Sequence, residues 1–245
     1  TLTDQEPSEC TGELIEYLSI IKNCGNSLTE ILNDILELSS IEAGSFTIEN
    51  QQFSPSKIIQ DCMNMFSYPA SQNRAILKNG INTLPDYVYG DPKKLKQILF
   101  NLIGNAVKFT EDGQVTVNAS LRENQLCFEV VDTGIGISAE MIQKILEPFT
   151  QADLSNTRKY GGTGLGLTIV SRVLDKLGGK LKIESEYGLG STFSFIFPVE
   201  IASVPVDGLP EDHEYISDEC VEIFSSQDSS EPEGANILII EDDIV

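Results

Sequence analysis

Between residues 91 and 132 the hydrophobic period changes abruptly from helical to alternating, and few folds accommodate that change. DPKKLKQILFNLIGNAVKFT reads as a helix opened by Asp91-Pro92, with proline in the first turn, where its missing N–H costs nothing. Thr110 to Gly113 read as a turn. VTVNASL and QLCFEVVD then alternate across the short polar link Arg122–Asn124, which predicts a hairpin. Upstream, FSPSKIIQDCMNMF enters a helix at Ser54-Pro55. Downstream, residues 138–146 and 164–177 read as helical, and KLKIES and STFSFIFPV as closing strands. Helices interleaved with mostly antiparallel strands predict an α+β fold, a two-layer sandwich with helices on one face of a mixed sheet.

A different pattern precedes this body. Leu14, Ile21, Leu28 and Ile35 recur every seven residues, and Leu18 and Leu32 continue a second seam that Gly25 interrupts. The run closes at Ala43-Gly44. Such a helix either packs on its own domain or meets a second copy; two apolar seams favour a homodimeric bundle. The chain opens on Thr1 rather than Met and is taken as a piece of a longer protein.

Charge sets further limits. Of the 38 acidic residues, 14 lie in residues 200–245, which hold no Lys or Arg, so the formal charge of −22 is concentrated in the tail. There is no basic footprint for nucleic acid. Pro, Ser, Asp and Glu dominate from 200 to 234 without periodicity, as in a solvated linker. No apolar run approaches the ~20 residues that cross a bilayer, so no membrane contact is expected from this segment, whatever anchors the parent protein. The five cysteines form no CxxC pair and read as reduced thiols in a cytoplasmic compartment. The single histidine, His213, has no companions at metal-ligand spacing.

Three short patterns carry chemistry. Asn101 and Asn105 lie four apart, on one helical face, and offer neutral carbonyl oxygens suited to Mg²⁺ shared with phosphate. Lys108 could reach phosphate as a point charge. Taken alone, these asparagines read equally as surface groups. DTGIGI (132–137) follows a strand directly, so Asp132 arrives at a sheet edge as an acceptor for the exocyclic amine of adenine, with Gly134 and Gly136 admitting close approach of a ligand. The alternative is a plain turn; an aspartic-protease assignment fails because no second such motif exists. GGTGLGL (161–167) leads into a helix and frees N–H groups for phosphate, yet it is neither a dinucleotide fingerprint nor a P-loop. The polar stretch before it, with Arg158 and Lys159, is long enough for a lid.

In order, Asn-x-x-x-Asn-Ala, Asp-x-Gly-x-Gly, Glu-Pro-Phe and Gly-x-Gly-Leu-Gly resemble the N, G1, F and G2 boxes of histidine kinases, members of the ATPase superfamily shared with gyrase and MutL. ILFNLIGNAVKFT and RKYGGTGLGLTIV look especially like hybrid sensor kinases. The resemblance implies ATP and Mg²⁺ as ligands, with Asn105 holding the metal and Asn101 and Lys108 at the phosphates. It places Asp132 at adenine beside Gly134, Gly136 and Ile137, and Arg158 and Tyr160 in the lid. Gly162, Thr163, Gly164, Leu165, Gly166 and Leu167 would follow the triphosphate. Leu146 departs from the Phe usual in the lid box, while Phe149 remains. Hydrolytic relatives carry a water-activating Glu where this chain has Asn101; a neutral amide is a poor general base, which favours transfer over hydrolysis.

The same resemblance divides the chain into a partial dimerisation and phosphotransfer region (1–47), a catalytic ATP-binding domain (48–199), an acidic linker (200–234) and the start of a receiver domain (235–245), where Asp242 and Asp243 would supply an acidic pocket. No acceptor-histidine motif is present, and His213 sits among Glu211, Asp212 and Glu214, which would repel phosphate. The expected partners are therefore an upstream acceptor-histidine helix, a receiver domain or response regulator, and a second copy. No catalytic side chain is expected within this chain itself. The rival expectation is a regulatory nucleotide-binding module without transfer activity.

Overall fold

The computed structural model describes residues 7–123, 125–150 and 163–201. Helix α1 (Pro7–Glu42) contains the whole heptad run. Two compact units divide the chain within it. Of the first, residues 7–27 are described and are helical throughout, with Leu14, Tyr17, Leu18 and Ile21 exposed. The second unit, residues 28–213, holds the remaining described elements.

In the second unit the order is β1 (Gln51–Phe53), α2 (Pro55–Gln72), β2 (Ile76–Ile81), β3 (Val88–Gly90) and α3 (Pro92–Phe109). There follow β4 (Gln114–Arg122), β5 (Gln125–Asp132), α4 (Ala139–Ile142), α5 (Gly166–Leu177), β6 (Lys180–Glu186), β7 (Gly190–Pro198) and β8 (Glu200–Ile201). Five strands form one sheet in the order β2-β4-β5-β7-β6. β2 runs parallel to β4 and the other pairs are antiparallel, so the sheet is mixed as expected. A parallel neighbour requires a crossover, and α3 supplies it. The short strands β1, β3 and β8 make a second sheet.

Pleating explains the core. In β4, β5 and β7 every second residue is buried: Val115, Val117 and Ala119; Leu126, Phe128 and Val130; Phe193, Phe195 and Phe197. Phe128 and Phe195 are directly opposite, with ring centroids 4.6 Å apart. Onto this face α3 presents Leu95, Ile98, Leu99, Leu102, Ile103 and Ala106, all buried, at helical spacing. α2 adds Ile59, Met63 and Phe66, and α5 adds Ile169, Val173 and Leu174. The Phe66 ring lies against the Cα of Gly104, where a side chain would crowd it, and 4.8 Å from the Phe100 ring.

Both predicted helix starts are present. Asp91 caps α3, one oxygen accepting from the Lys94 N–H at 3.0 Å and the other from the Glu49 N–H at 2.9 Å. The C-terminal part of α1 is tied to the same place: Ile41 is buried, and Lys94 donates to Glu37 at 2.7 Å with its ammonium 5.1 Å from the Phe46 ring centroid. Three differences from the sequence pattern stand out. The 138–146 helix reduces to α4 followed by turns, α5 starts at Gly166 rather than 164, and Glu200–Ile201 pair with β3 beyond Val199, where the alternating pattern ends.

Phe66→Ala is expected to cost about 3–5 kcal/mol in chemical denaturation, because the buried ring fills the space between α2 and α3. Tyr68→Ala, on the exposed side of α2, is expected to change stability by no more than about 0.5 kcal/mol.

Candidate nucleotide site

Helix α3 carries the first group. Asn101 and Asn105 are both half-buried, one turn apart. The Asn101 amide donates to the Gln97 carbonyl at 3.3 Å, and its oxygen lies against Gly166, where any Cβ would collide with it. Asn101 thus meets the start of α5. The Lys108 ammonium, in the last turn, stands 5.1 Å from the Phe109 ring centroid.

Asp132 stands near the C-terminal end of α3, where the Gly134 that follows it meets the Phe109 carbonyl. Its register across the sheet is Val115, Asp132, Ser191, Ser185, one residue from each of β4, β5, β7 and β6. One row deeper, the facing residues are Val117, Val130, Phe193 and Ile183. The helix-facing side of the sheet therefore changes from apolar to polar at this row, and the same pleat that buries Val130 buries Asp132. Burial pushes the Asp132 carboxyl above its ordinary value. Hydrogen bonds from the Gly134 N–H, at 2.9 Å, and from the N–H and hydroxyl of Ser191 pull it partly back. Ser185 and Ser191 lie outside the three motifs singled out above; strand register aligns them with Asp132.

The glycines of DTGIGI also serve the fold itself. Gly136 has φ +64°, and a Cβ there would collide with the Glu186 carbonyl oxygen; one on Gly134 would strike the Phe109 carbonyl oxygen. These glycines bring the loop onto protein backbone. The loop is then fixed to the β6–β7 turn: Gly188 N–H donates to Ile135 O at 2.7 Å, and Ile137 N–H to Ser185 Oγ at 2.7 Å.

Of the third motif, Thr163 to Leu167 are described, whereas Arg158, Tyr160 and Gly162 lie outside the described residues, as do His213, Asp242 and Asp243. Thr163 Oγ1 accepts from the Leu165 N–H at 3.1 Å and donates to Asp34 of α1 at 3.0 Å. Gly164, at φ +71°, packs on Phe149 and Thr150, and the Phe149 N–H donates to its carbonyl at 3.1 Å. The Ile169 N–H closes the first helical turn on Leu165 O, so the N–H groups of Gly166, Leu167 and Thr168 precede the first intrahelical bond. Leu146, the departure from the family's lid box, gives its carbonyl to the Thr168 hydroxyl at 3.1 Å, while Phe149 is 66% exposed.

An adenine nucleotide fits these groups. Asp132 offers acceptor oxygens at one end of α3, and the first turn of α5 offers N–H donors beside Asn101 near the middle of α3. Phe109, whose carbonyl borders Gly134, lies eight residues beyond Asn101, about 12 Å of helical rise. That is the span a nucleoside triphosphate needs between base and phosphates. For a hard cation, the neutral amide oxygen of Asn105 on the same face is a suitable donor.

Comparison with known proteins agrees. Residues 90–201 match the histidine kinase-, DNA gyrase B- and HSP90-like ATPase family. The chain is 39% identical over 198 residues to the circadian input-output histidine kinase CikA of Synechococcus elongatus, covering 80% of this chain and 26% of that protein. It is 38% identical over 198 residues to hybrid signal transduction histidine kinase B of Dictyostelium discoideum, covering 76% of this chain and 10% of that one. The chain thus spans between a tenth and about a quarter of these relatives. The crystal structure of full-length ShkA in complex with AMPPNP superposes with a TM-score of 0.69 at 30% identity, over 79% of this chain and 40% of that one. Fold and relatives converge: the chain carries the catalytic ATPase region of the histidine kinases.

Proposed function

We propose that this chain binds ATP with Mg²⁺ and directs the γ-phosphoryl group to a histidine on a helix supplied by the rest of the protein, for relay to a receiver aspartate. The observation that carries this proposal is the pairing of a buried, hydrogen-bonded Asp132 at one end of α3 with Asn101 packed on the start of α5. Asp132 accepts the 6-amino protons of adenine. The N–H groups of Gly166, Leu167 and Thr168 hold phosphate oxygens, with Lys108, Arg158, Tyr160 and the glycine run 162–164 as further contacts. Asn105 holds the cation, which when bound neutralises phosphate charge during transfer.

Asn101 decides between transfer and hydrolysis. Its amide is committed to Gln97 O and to the surface of Gly166, and an amide cannot take a proton from water at neutral pH. Nothing at this position activates water, so the phosphoryl group waits for its acceptor.

A second copy is the natural partner for α1. Leu14, Leu18, Ile21, Leu28, Leu32 and Ile35 are all exposed, a seam that a bundle would cover. Among the described residues no helix is long and apolar enough to cross a membrane. ATP dependence supports a cytoplasmic setting.

With the acceptor helix added in trans and Mg-ATP present, acid-labile phosphate is expected on its histidine. Asn105→Ala should lower the labelling rate by about 10²-fold, the scale of losing one electrostatic contact to the transferring group. Saturable ATP binding with no labelling at any helix concentration would contradict the transfer claim.

Asp132 also predicts a pH effect. Its carboxyl is raised by burial, so its contribution to stability is greatest when it is protonated and is lost as pH rises through its folded value. Asp132→Asn removes that loss. The variant should gain on the wild type in chemical denaturation as pH rises from about 4 to about 7, while its ATP affinity falls.

A further inference from the structure

Ser185 lies near the end of β6, outside the three motifs, yet its hydroxyl joins three segments of the site. It accepts the Ile137 N–H of the DTGIGI loop at 2.7 Å. It stands 2.8 Å from the Gly190 carbonyl and 3.0 Å from Ser191 Oγ. A hydroxyl has one proton and two lone pairs. The Ile137 N–H takes one lone pair, and the proton is shared between Gly190 O and Ser191 Oγ. Ser191 is the register partner of Asp132 across the sheet, and its N–H and hydroxyl are among the groups that draw the Asp132 carboxyl back down.

These contacts run along one row on the helix-facing side of the sheet, Asp132 to Ser191 to Ser185. Backbone crowding reinforces them. Gly190, at φ +122°, closes on the Asp132 carbonyl, and Gly136 closes on the Glu186 carbonyl next to Ser185. The carboxylate, its serine partner and the loop beside it therefore share one anchor, the Ser185 oxygen.

We infer that Ser185 is a positioning residue that, through Ser191 and Ile137, fixes the orientation of the Asp132 carboxylate and so sets the preference of the site for a 6-aminopurine. The inference rests on the proposed nucleotide function and names the residue that makes its base recognition selective. A carboxylate free to swing can still meet an amine, but it loses the directional bond that separates a purine with the amine from one without it. Without the Ser185 hydroxyl the Ile137 N–H is also left without its acceptor, which loosens the loop on the far side of Asp132.

The test is calorimetric titration of the whole chain with Mg-ATP and with Mg-purine riboside triphosphate, which lacks the 6-amino group. In the wild type ATP should bind more tightly. In Ser185→Ala the affinity ratio between the two should shrink about tenfold, whereas Ser185→Thr, which keeps the hydroxyl, should preserve it. Ser185→Cys fills the same space with a weakly bonding sulfur and should behave like the alanine variant, which keeps the test open if the alanine variant fails to fold. A purely structural role would lower both affinities together and leave the ratio intact; that result in Ser185→Ala or Ser185→Cys overturns the inference alone. A wild type with no preference for ATP instead sinks the nucleotide function, and the inference with it.

Discussion

A carboxylate inside a protein must be paired, hydrogen-bonded or protonated, and the site depends on how that demand is met at Asp132. No cation neutralises it among the described residues. Strand register brings Ser191 beside it, and the turn after β5 adds a hydrogen bond from the Gly134 N–H. These donors hold the carboxylate without saturating its oxygens, which leaves acceptor capacity for a ligand amine. An arginine or lysine in their place would have held the charge more firmly and consumed that capacity.

Helix α3 transmits the arrangement across the domain. Its buried face is set by the sheet, its start is capped by Asp91, and its last carbonyls touch the loop that follows Asp132. Near its middle Asn101 meets Gly166, so one helix touches both the loop after Asp132 and the start of α5. The same helix start receives α1 through Glu37 and Lys94, both largely buried, which links the outer helix to the element that carries the asparagines. Asp34 extends that link to Thr163.

Much of this was legible in the sequence because the relevant signals are local. Asp91-Pro92 announces α3, four-residue spacing puts Asn101 and Asn105 on one face, and alternation in QLCFEVVD delivers Asp132 buried at the end of β5. What escaped is non-local. β2 is a parallel strand whose partner lies beyond α3, and ILKNGI has too weak an alternation to declare itself. β1, β3 and β8 are too short to carry a period. Ser185 and Ser191 look like ordinary strand residues until register aligns them with Asp132. Gly134 and Gly136 were visible as a pattern, but the sequence could not say that carbonyls of Phe109 and Glu186 are what they approach.

The central claim is recognition of adenine by Asp132, and titration of the wild-type chain with Mg-ATP and Mg-GTP tests it most directly. Guanine presents a carbonyl oxygen where adenine has its amine, so two acceptors would face each other. The account predicts saturable heat with ATP and binding of GTP weaker by about 10²-fold or more, as for other sites built around a buried polar partner. Equal affinity for the two nucleotides, or no saturable heat with ATP, would contradict it.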